Sequence, residues 1–302
     1  MKVSSTPDSD TSAESGSVSA LVVQPEARAL ARQPDAPELS SASSEQLQEI
    51  PARDENDERR RIHVPVERAL KLVVDGEELV TLMTLGASPE WLVIGYLRNQ
   101  RLIESVTQLQ SVAVEWGSGT AVVRTRTSMA NSPLTKGQQP GRTGCGLGTG
   151  FGDLLDAGVG VALGGEGRIS RTSLLSILET MRQHDAIHRA AGSVHSCALF
   201  HGTTLWVAVE DVSRHNGLDT ITGWMALHGV DGADKILFTT GRLTGEMVMK
   251  AAHNGIAILV SRNGVTSMGY DVAVRLGMTL FGREANRRYV CYAGFERFDA
   301  SL

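Results

Sequence analysis

From Ser170 onward the chain alternates strand-length apolar runs with helix-length amphipathic ones, and that alternation restricts the fold more than any other feature. Ser173–Ile187 reads as a helix, Leu205–Glu210 as a strand and Asn216–Leu227 as a helix. A strand at Ile236–Thr239, a helix at Thr244–His253 and a strand at Ile256–Val260 follow, then a helix at Thr266–Leu276 and a last strand at Tyr289–Tyr292. The order predicts a layered α/β domain over residues 169–302 with a largely parallel sheet. Sites in such sheets lie beyond the strand C-terminal ends. The polar residues just past those ends are Asp211, Arg214 and His215, then Thr240, Gly241 and Arg242, then Ser261, Arg262 and Asn263. Each of the three groups contains an arginine.

Upstream, residues 61–168 read as a smaller α+β domain. Leu70–Val80 is two strands around Asp75-Gly76, and Val112–Trp116 pairs with Ala121–Arg124 around Gly117-Ser118-Gly119. Ser88-Pro89-Glu90 starts a helix that reaches about Asn99, with serine as N-cap, proline at the first helical position and an acid in the first turn. Residues 127–167 keep no period and are rich in Gly, Ser, Thr and Pro, so they read as one long functional loop.

Residues 1–60 read as a disordered acidic tail. The first 58 contain no aromatic residue and carry twelve Asp/Glu against four Lys/Arg, a net of −8. Such a segment buries too little apolar surface to offset its conformational entropy. Its apolar cluster, Ala20-Leu21-Val22-Val23, reads as a docking motif or as chance. The remaining residues carry +3 of the total −5, which suits an anionic ligand and falls short of a nucleic-acid-binding surface. No apolar run approaches a membrane span, and no secretory signal is visible. Three cysteines, Cys145, Cys197 and Cys291, are too few for a disulfide framework or a cysteine-rich zinc site, so a cytoplasmic, reduced protein without metal is expected.

The candidate reactive group is Cys145, in Arg142-Thr143-Gly144-Cys145-Gly146-Leu147-Gly148-Thr149-Gly150. A thiol between glycines sits on backbone that another molecule can approach closely, as on an arm carrying a nucleophile. Arg142 nearby would raise its thiolate fraction. The loop has neither G-x-G-x-x-G nor G-K-[ST], so it is no dinucleotide or P-loop fingerprint. His195-Ser196-Cys197 matches a fragment of a zinc-deaminase signature, but the glutamate and the Pro-Cys-x-x-Cys are missing. Arg214, at a strand-to-helix join, and Arg242, in the turn before a helix that Thr244 and Glu246 would cap, can both grip an anion. Arg283, Arg287 and Arg288 form a further cationic cluster.

Gly-Cys-Gly in a long loop, Glu210-Asp-Val-Ser-Arg-His-Asn216, Thr240-Gly-Arg-Leu-Thr-Gly-Glu-Met-Val248 and Gly277-Met-Thr-Leu-Phe-Gly-Arg283, in that order, resemble the formate dehydrogenase accessory sulfurtransferase family (FdhD). The likeness spans about Ile62 to Asp299. It implies a cytidine-deaminase-like α/β domain joined to a smaller α+β domain, in a homodimer. It implies a sulfur carrier that takes persulfide sulfur from a cysteine desulfurase and passes it to the molybdenum cofactor, bis-molybdopterin guanine dinucleotide, for the formate dehydrogenase catalytic subunit. A guanine nucleotide would mimic that cofactor. The persulfide cysteine falls on Cys145. The cofactor-binding stretch falls on Arg283, Glu284, Ala285, Asn286, Arg287 and Arg288, with Arg214 and Arg242 as further cationic partners. Two positions depart from the family pattern. Gly148 stands where a second cysteine is usual, so a relay thiol would have to come from Cys197 or Cys291; Arg283 stands where an aromatic residue often begins the C-terminal stretch. The alternative is a non-catalytic chaperone that binds the cofactor and delivers it. A zinc-dependent nucleobase deaminase, suggested by the fold alone, lacks its ligands.

Overall fold

The computed structural model describes residues 19–127, 163–164, 167–285 and 288–301. The N-terminal segment holds β1 (Leu21–Val23), α1 (Pro25–Arg28), β2 (Glu38–Leu39), β3 (Leu47–Arg53) and β4 (Arg59–Pro65). Next come β5 (Arg68–Val74), β6 (Glu77–Thr84), α2 (Pro89–Asn99), β7 (Leu109–Glu115) and β8 (Thr120–Thr125). The C-terminal half holds β9 (Ile169–Ser170), α3 (Arg171–His184), α4 (Ala186–Ala191), β10 (His195–His201), β11 (Thr204–Asp211) and α5 (Arg214–His228). It continues through β12 (Lys235–Thr239), α6 (Gly245–His253), β13 (Ile258–Ser261), α7 (Ser267–Leu276), β14 (Thr279–Ala285), β15 (Arg288–Ala293) and β16 (Phe298–Asp299).

A seven-stranded sheet runs β1-β11-β10-β12-β13-β14-β15. One face packs under α5, α6 and α7 through Leu218, Ile221, Trp224, Met247, Val248 and Val272. The other packs against α3 through Leu174, Ile177, Leu178 and Met181. The α/β layering is as the alternation predicts, but the sheet is not largely parallel. Only β12–β13 and β13–β14 are parallel; the other four pairings are antiparallel. The cause is two hairpins that the alternation conceals. The β10–β11 hairpin turns at Gly202-Thr203, because His201 pairs with Thr204. The β14–β15 hairpin turns after Ala285, which pairs with Arg288.

The smaller unit is a five-stranded sheet, β2-β7-β8-β5-β6, backed by α2. Its hairpins form where the Gly-centred turns place them, with Asp75 (φ 50°) and Gly76 (φ 93°) joining β5 to β6. α2 and α5 hold the two units together. A Cβ on Gly95 would come within 1.6 Å of the Asp219 carbonyl oxygen, and one on Gly223 within 1.9 Å of the Trp91 carbonyl oxygen. The helix backbones therefore touch at a glycine-on-glycine crossing that admits no side chain. At this crossing Asp219, Lys250, Asn99, Thr222 and Asn254 form a buried network in which Lys250 Nζ lies 2.9 and 3.0 Å from the Asp219 carboxylate oxygens.

The expected disordered tail is corrected from Ser19 onward; residues 1–18 lie outside the described residues. Leu21, Val22 and Val23 pair with Val209, Ala208 and Val207 and extend the large sheet by one strand. Ala27 is fully buried in the main core, Gln33 donates to the Ala226 carbonyl, and β2 pairs with β7. Glu90 is the first-turn acid of α2 as expected, and it is also buried, accepting from Ser40 Oγ (2.5 Å) and Ala42 N–H (2.9 Å). Residues 19–42 order themselves on sheet edges and on partners that the body supplies, while residues 47–65 pair with one another as the β3–β4 hairpin. Composition counts only the apolar surface a segment brings itself.

Candidate functional site

The mixed pairing gathers one polar edge. β12, β13 and β14 run parallel, so Thr239, Ser261 and Phe281 lead off the same side of the sheet. β11 ends there too, while the antiparallel β10 and β15 begin there, at His195 and Arg288. Arg214, Arg242, Arg262, Arg283 and Arg288 therefore stand along one edge.

The turns that make this edge are bonded tightly. Thr239 Oγ1 accepts from Gly241 N–H (3.0 Å), Ser261 Oγ donates to the Gly241 carbonyl (2.7 Å), and Thr240 Oγ1 accepts from Ser196 N–H (2.9 Å). Gly241 has no room for a side chain, since a Cβ there would sit 2.7 Å from Arg214 Cδ. Arg214, the first residue of α5, lies across that glycine, and Ser213 caps the helix by accepting from His215 N–H (3.3 Å). Arg242 is exposed and makes no ion pair among the described residues.

Two histidines line the edge as neutral groups. Burial pushes the His215 imidazole down to about 3, and Lys250, Arg214 and His195 add to the effect. Its Nδ1 is 3.7 Å from Glu246 Oε1, on a carboxyl that burial shifts upward. Burial lowers His195 as well, with Arg214, His188 and Arg242 adding to it. Asp211, which sequence placed among the edge's polar groups, is a structural joint. Its carboxylate accepts from Thr84 Oγ1 (2.5 Å), Leu85 N–H (3.1 Å), Ser213 N–H (3.1 Å) and Asn216 Nδ2 (2.8 Å), linking β6 to the site edge. Burial raises this carboxyl to about 6 even so. Thr244 precedes α6 as expected, but its side chain makes no cap bond.

The C-terminal stretch divides. Arg283 (φ 55°) and Arg288 are exposed at the edge. Glu284 is not exposed: its side chain is 4% accessible, with Oε1 2.5 Å from Arg182 Nη2 and Oε2 3.8 Å from Arg262 Nε. It holds arginines and presents no free carboxylate to a ligand. Ala285 ends β14; its side chain, Asn286 and Arg287 lie outside the described residues. So does Cys145 with the whole glycine loop.

The other two cysteines are buried or bonded. Cys197 is fully buried behind Gly217, its thiol pushed up to about 12 by burial. Cys291 is half-buried, its thiol donates to the Ala293 carbonyl (3.5 Å), and burial raises it too. Neither is a thiolate near neutral pH. Among the described residues, no group of three His, Cys, Asp or Glu could hold a metal, and no helix is long and apolar enough to cross a membrane.

Sequence reasoning passed over Arg182 and Asp185. Arg262 pairs with Asp185 through Nη1, and its guanidinium lies 5.6 Å from the Phe238 ring centroid. Arg182 and Asp185 sit on or just after α3, far from the edge in sequence, and no spacing signal links them to it. Arg262, Asn263, Gly264, Arg283, Glu284 and Tyr292 line a cleft of about 620 Å³.

Known proteins share both the sequence and the architecture. A sulfur carrier protein FdhD of Bacillus pumilus (strain SAFR-032) is 28% identical over 230 residues, covering 76% of this chain and 87% of the relative. The sulfur carrier protein FdhD of Staphylococcus aureus (strain MRSA252) is 26% identical over 228 residues, covering 76% and 86%. A crystal structure of a chain from Desulfotalea psychrophila, assigned as a formate dehydrogenase accessory protein, superimposes with a TM-score of 0.67 at 23% identity over 83% of this chain and 98% of that one. The sequence model of the FdhD/NarQ family matches residues 65–299, from the last residue of β4 to the end of β16, and the chain belongs to that family.

Proposed function

We propose that this protein is a sulfur carrier that receives persulfide sulfur from a cysteine desulfurase and passes it to bis-molybdopterin guanine dinucleotide destined for formate dehydrogenase. The observation that carries this reading is the arginine edge in a chain whose family relatives are named sulfur carriers. A cargo built on pyrophosphate-linked nucleotides needs guanidinium partners, and Arg214, Arg242, Arg283 and Arg288 are the candidates along the edge. The nearby carboxylates Asp211 and Glu284 are occupied by donors. The two histidines, His195 and His215, are held neutral by burial and neither add nor cancel charge.

Cys145 carries the sulfur in this reading. Its thiolate attacks the outer sulfur of the desulfurase persulfide; the new S–S bond forms on Cys145, the old one breaks, and the desulfurase cysteine leaves as a thiolate. With Cys197 and Cys291 held as buried or bonded thiols, the outer sulfur leaves Cys145 directly: an acceptor electron pair bonds to it, the S–S bond breaks, and Cys145 is left as a thiolate. The protein acts as a homodimer.

Intact mass measurement after incubation with a desulfurase and cysteine tests the reading. The expected gain is one sulfur, about 32 Da, mapped to Cys145 and absent from Cys145→Ala. No gain in the wild type would overturn sulfur carriage. It would favour a second reading, a chaperone that binds the cofactor without carrying sulfur, which Gly148 and the two sealed thiols support. That reading predicts guanine-nucleotide binding unaffected by Cys145→Ala.

A further inference from the structure

We infer that the outer edge of β15, with the apolar side chains beside it, is a docking strand for the protein that receives the cargo. The segment it binds is extended, apolar at its centre and acidic at its flanks. The inference rests on the arginine edge of the proposed function and adds to it a surface and the chemistry of a partner.

Every other outer strand among the described residues is guarded. At the opposite side of the large sheet, β1 has three residues. β2, β9 and β16 have two each. In the hairpin, β3 carries Pro51, and β4 carries Arg59, Arg60 and Arg61 in succession. β6 opens with Glu77-Glu78, and near its far end the Met83 carbonyl accepts from Asn216 Nδ2 (2.7 Å). Short length, proline, charge and covering groups are the devices that keep a strand edge from pairing with another chain. β15 is the outermost strand of the seven-stranded sheet and pairs only with β14 among the described residues. It has six residues, no proline, and one charge, at its first position. Its own irregularity falls at Tyr292, because Cys291 pairs with Phe281 and Ala293 with Leu280. Arg288 to Cys291 carry no extra residue of their own; the second irregularity adds residues to β14.

Exposed apolar surface collects at the same place. Of the six large apolar side chains exposed among the described residues, Val290 is on β15, Phe295 follows it, and Tyr270 and Val274 are on α7. α7 packs over β14 and β15, and its Tyr270 and Val274 stand one turn apart on the exposed face. Phe295 is 65% exposed, in a turn whose Arg297 Nε donates to the Gly277 carbonyl just past α7 (3.4 Å). Apolar side chains gathered on one surface in this way mark an interaction site.

Charge selects the occupant. Arg275, Arg283 and Arg288 are exposed around the patch and Arg297 is half-buried, against the exposed acids Asp271 and Glu296. A cationic rim disfavours a second copy brought edge to edge and favours an acidic segment. β15 also begins at the arginine edge, so a strand laid along it reaches the proposed cargo site. Main-chain bonds to β15 would supply affinity, and the alternate side chains around Val290 would supply selectivity.

The test is biolayer interferometry of the full-length protein against purified, cofactor-free formate dehydrogenase catalytic subunit. A cysteine desulfurase serves as a parallel analyte, and light scattering gives the molar mass of the protein alone. Val290→Lys guards β15 as the other edges are guarded, and should weaken binding of the subunit by about tenfold or more. Val290→Thr keeps a β-branched residue of similar size and should stay within about threefold of wild type. Phe295→Ser should lose about fivefold, and it keeps the test open if the lysine variant fails to fold in a thermal melt. Arg275→Glu should lose about threefold at low salt and less as salt rises. Four outcomes overturn the inference. They are wild type that does not bind the subunit, Val290→Lys that binds as wild type does, a loss confined to the desulfurase, and a wild-type dimer that Val290→Lys splits into monomers. The last two would give the edge to the sulfur donor or to a second copy. Sulfur gain on Cys145 is read by mass in the same variants and should not change, so a failure of docking and a failure of sulfur carriage remain distinct.

Discussion

Two clusters of buried charge lie in this molecule, and they differ in one respect. At the α2–α5 crossing, Asp219 and Lys250 are 2% and 6% exposed at the side chain, and the groups around them pair with one another. Asn99 donates to Asp219 and Thr222, and Asn254 donates to Asn99 and Thr222. At the strand edge, Arg262, Asp185, Glu284 and Arg182 also pair, yet Arg262 Nη2 and Asp185 Oδ1 are left buried and unbonded among the described residues. The first cluster is closed and holds two units together. The second is open and faces a cleft.

The closed cluster should break hardest. Gly223→Val would force the α2 and α5 backbones apart at a 1.9 Å approach that neither can yield. The expected cost exceeds about 4 kcal/mol, read by denaturant unfolding, or the protein fails to fold. A loss under about 1 kcal/mol would show that the crossing does not join the units. Lys250→Met comes next. It strands the Asp219 carboxylate and should cost about 3–5 kcal/mol, whereas the double variant with Asp219→Leu should recover part of that. Arg262→Gln, at the open cluster, is expected to cost only about 1–2 kcal/mol. Equal losses for Lys250→Met and Arg262→Gln would erase the distinction between the clusters.

Much of the edge is legible in the sequence. Strand ends read at Glu210, Thr239 and Val260, each followed within four residues by an arginine, place the polar groups correctly, because a strand's period and its flanking turn residues are local signals. Both hairpins of the small sheet and the start of α2 at Pro89 were legible for the same reason. The direction of the sheet was not. β10 reads as Ser-Cys-Ala-Leu-Phe, an apolar run without period, and the β10–β11 turn at Gly202-Thr203 carries a weak signal. Residues 19–39 were illegible because their order comes from borrowed edges on β11 and β7. The ion pairs of Glu284 were illegible for a related reason. Its partners Arg182 and Arg262 are 102 and 22 residues away in sequence, and only the fold brings them to it.

The neutral His215 sharpens the comparison from the side of pH. It packs beside Lys250 and Glu246 of α6, Arg214 of its own helix and His195 of β10, and its imidazole is pushed from 6.5 to about 3. The unfolded chain therefore takes up a proton below about pH 6.5 that the folded chain refuses. Stability from this group is full above that pH and falls as pH drops toward 3, with a slope of at most about 1.4 kcal/mol per pH unit. Asp211 acts in the opposite sense, since its folded value is raised from 3.8 to about 6 and its stabilisation grows as pH falls through that window. The difference between wild type and His215→Gln isolates the histidine. Melting temperatures measured from pH 7.5 to pH 4 should fall more steeply in the wild type. Parallel curves would mean that His215 titrates normally in the fold.

The smallest expected effect belongs to Arg242. It is exposed, follows a glycine turn, and makes no ion pair among the described residues, so Arg242→Ala should change stability by no more than about 0.5 kcal/mol. Binding should respond differently from stability. A solvated guanidinium along the edge attracts an anion through water, so its removal should weaken pyrophosphate binding by no more than about fivefold at low salt. That loss should vanish as ionic strength rises and the Debye length shrinks below the spacing of the edge. Titrating the variant against pyrophosphate at low and high salt separates a residue that steers the anion from one that grips it. A salt-insensitive loss in Arg242→Ala would place that residue in direct contact and shift the site toward β12.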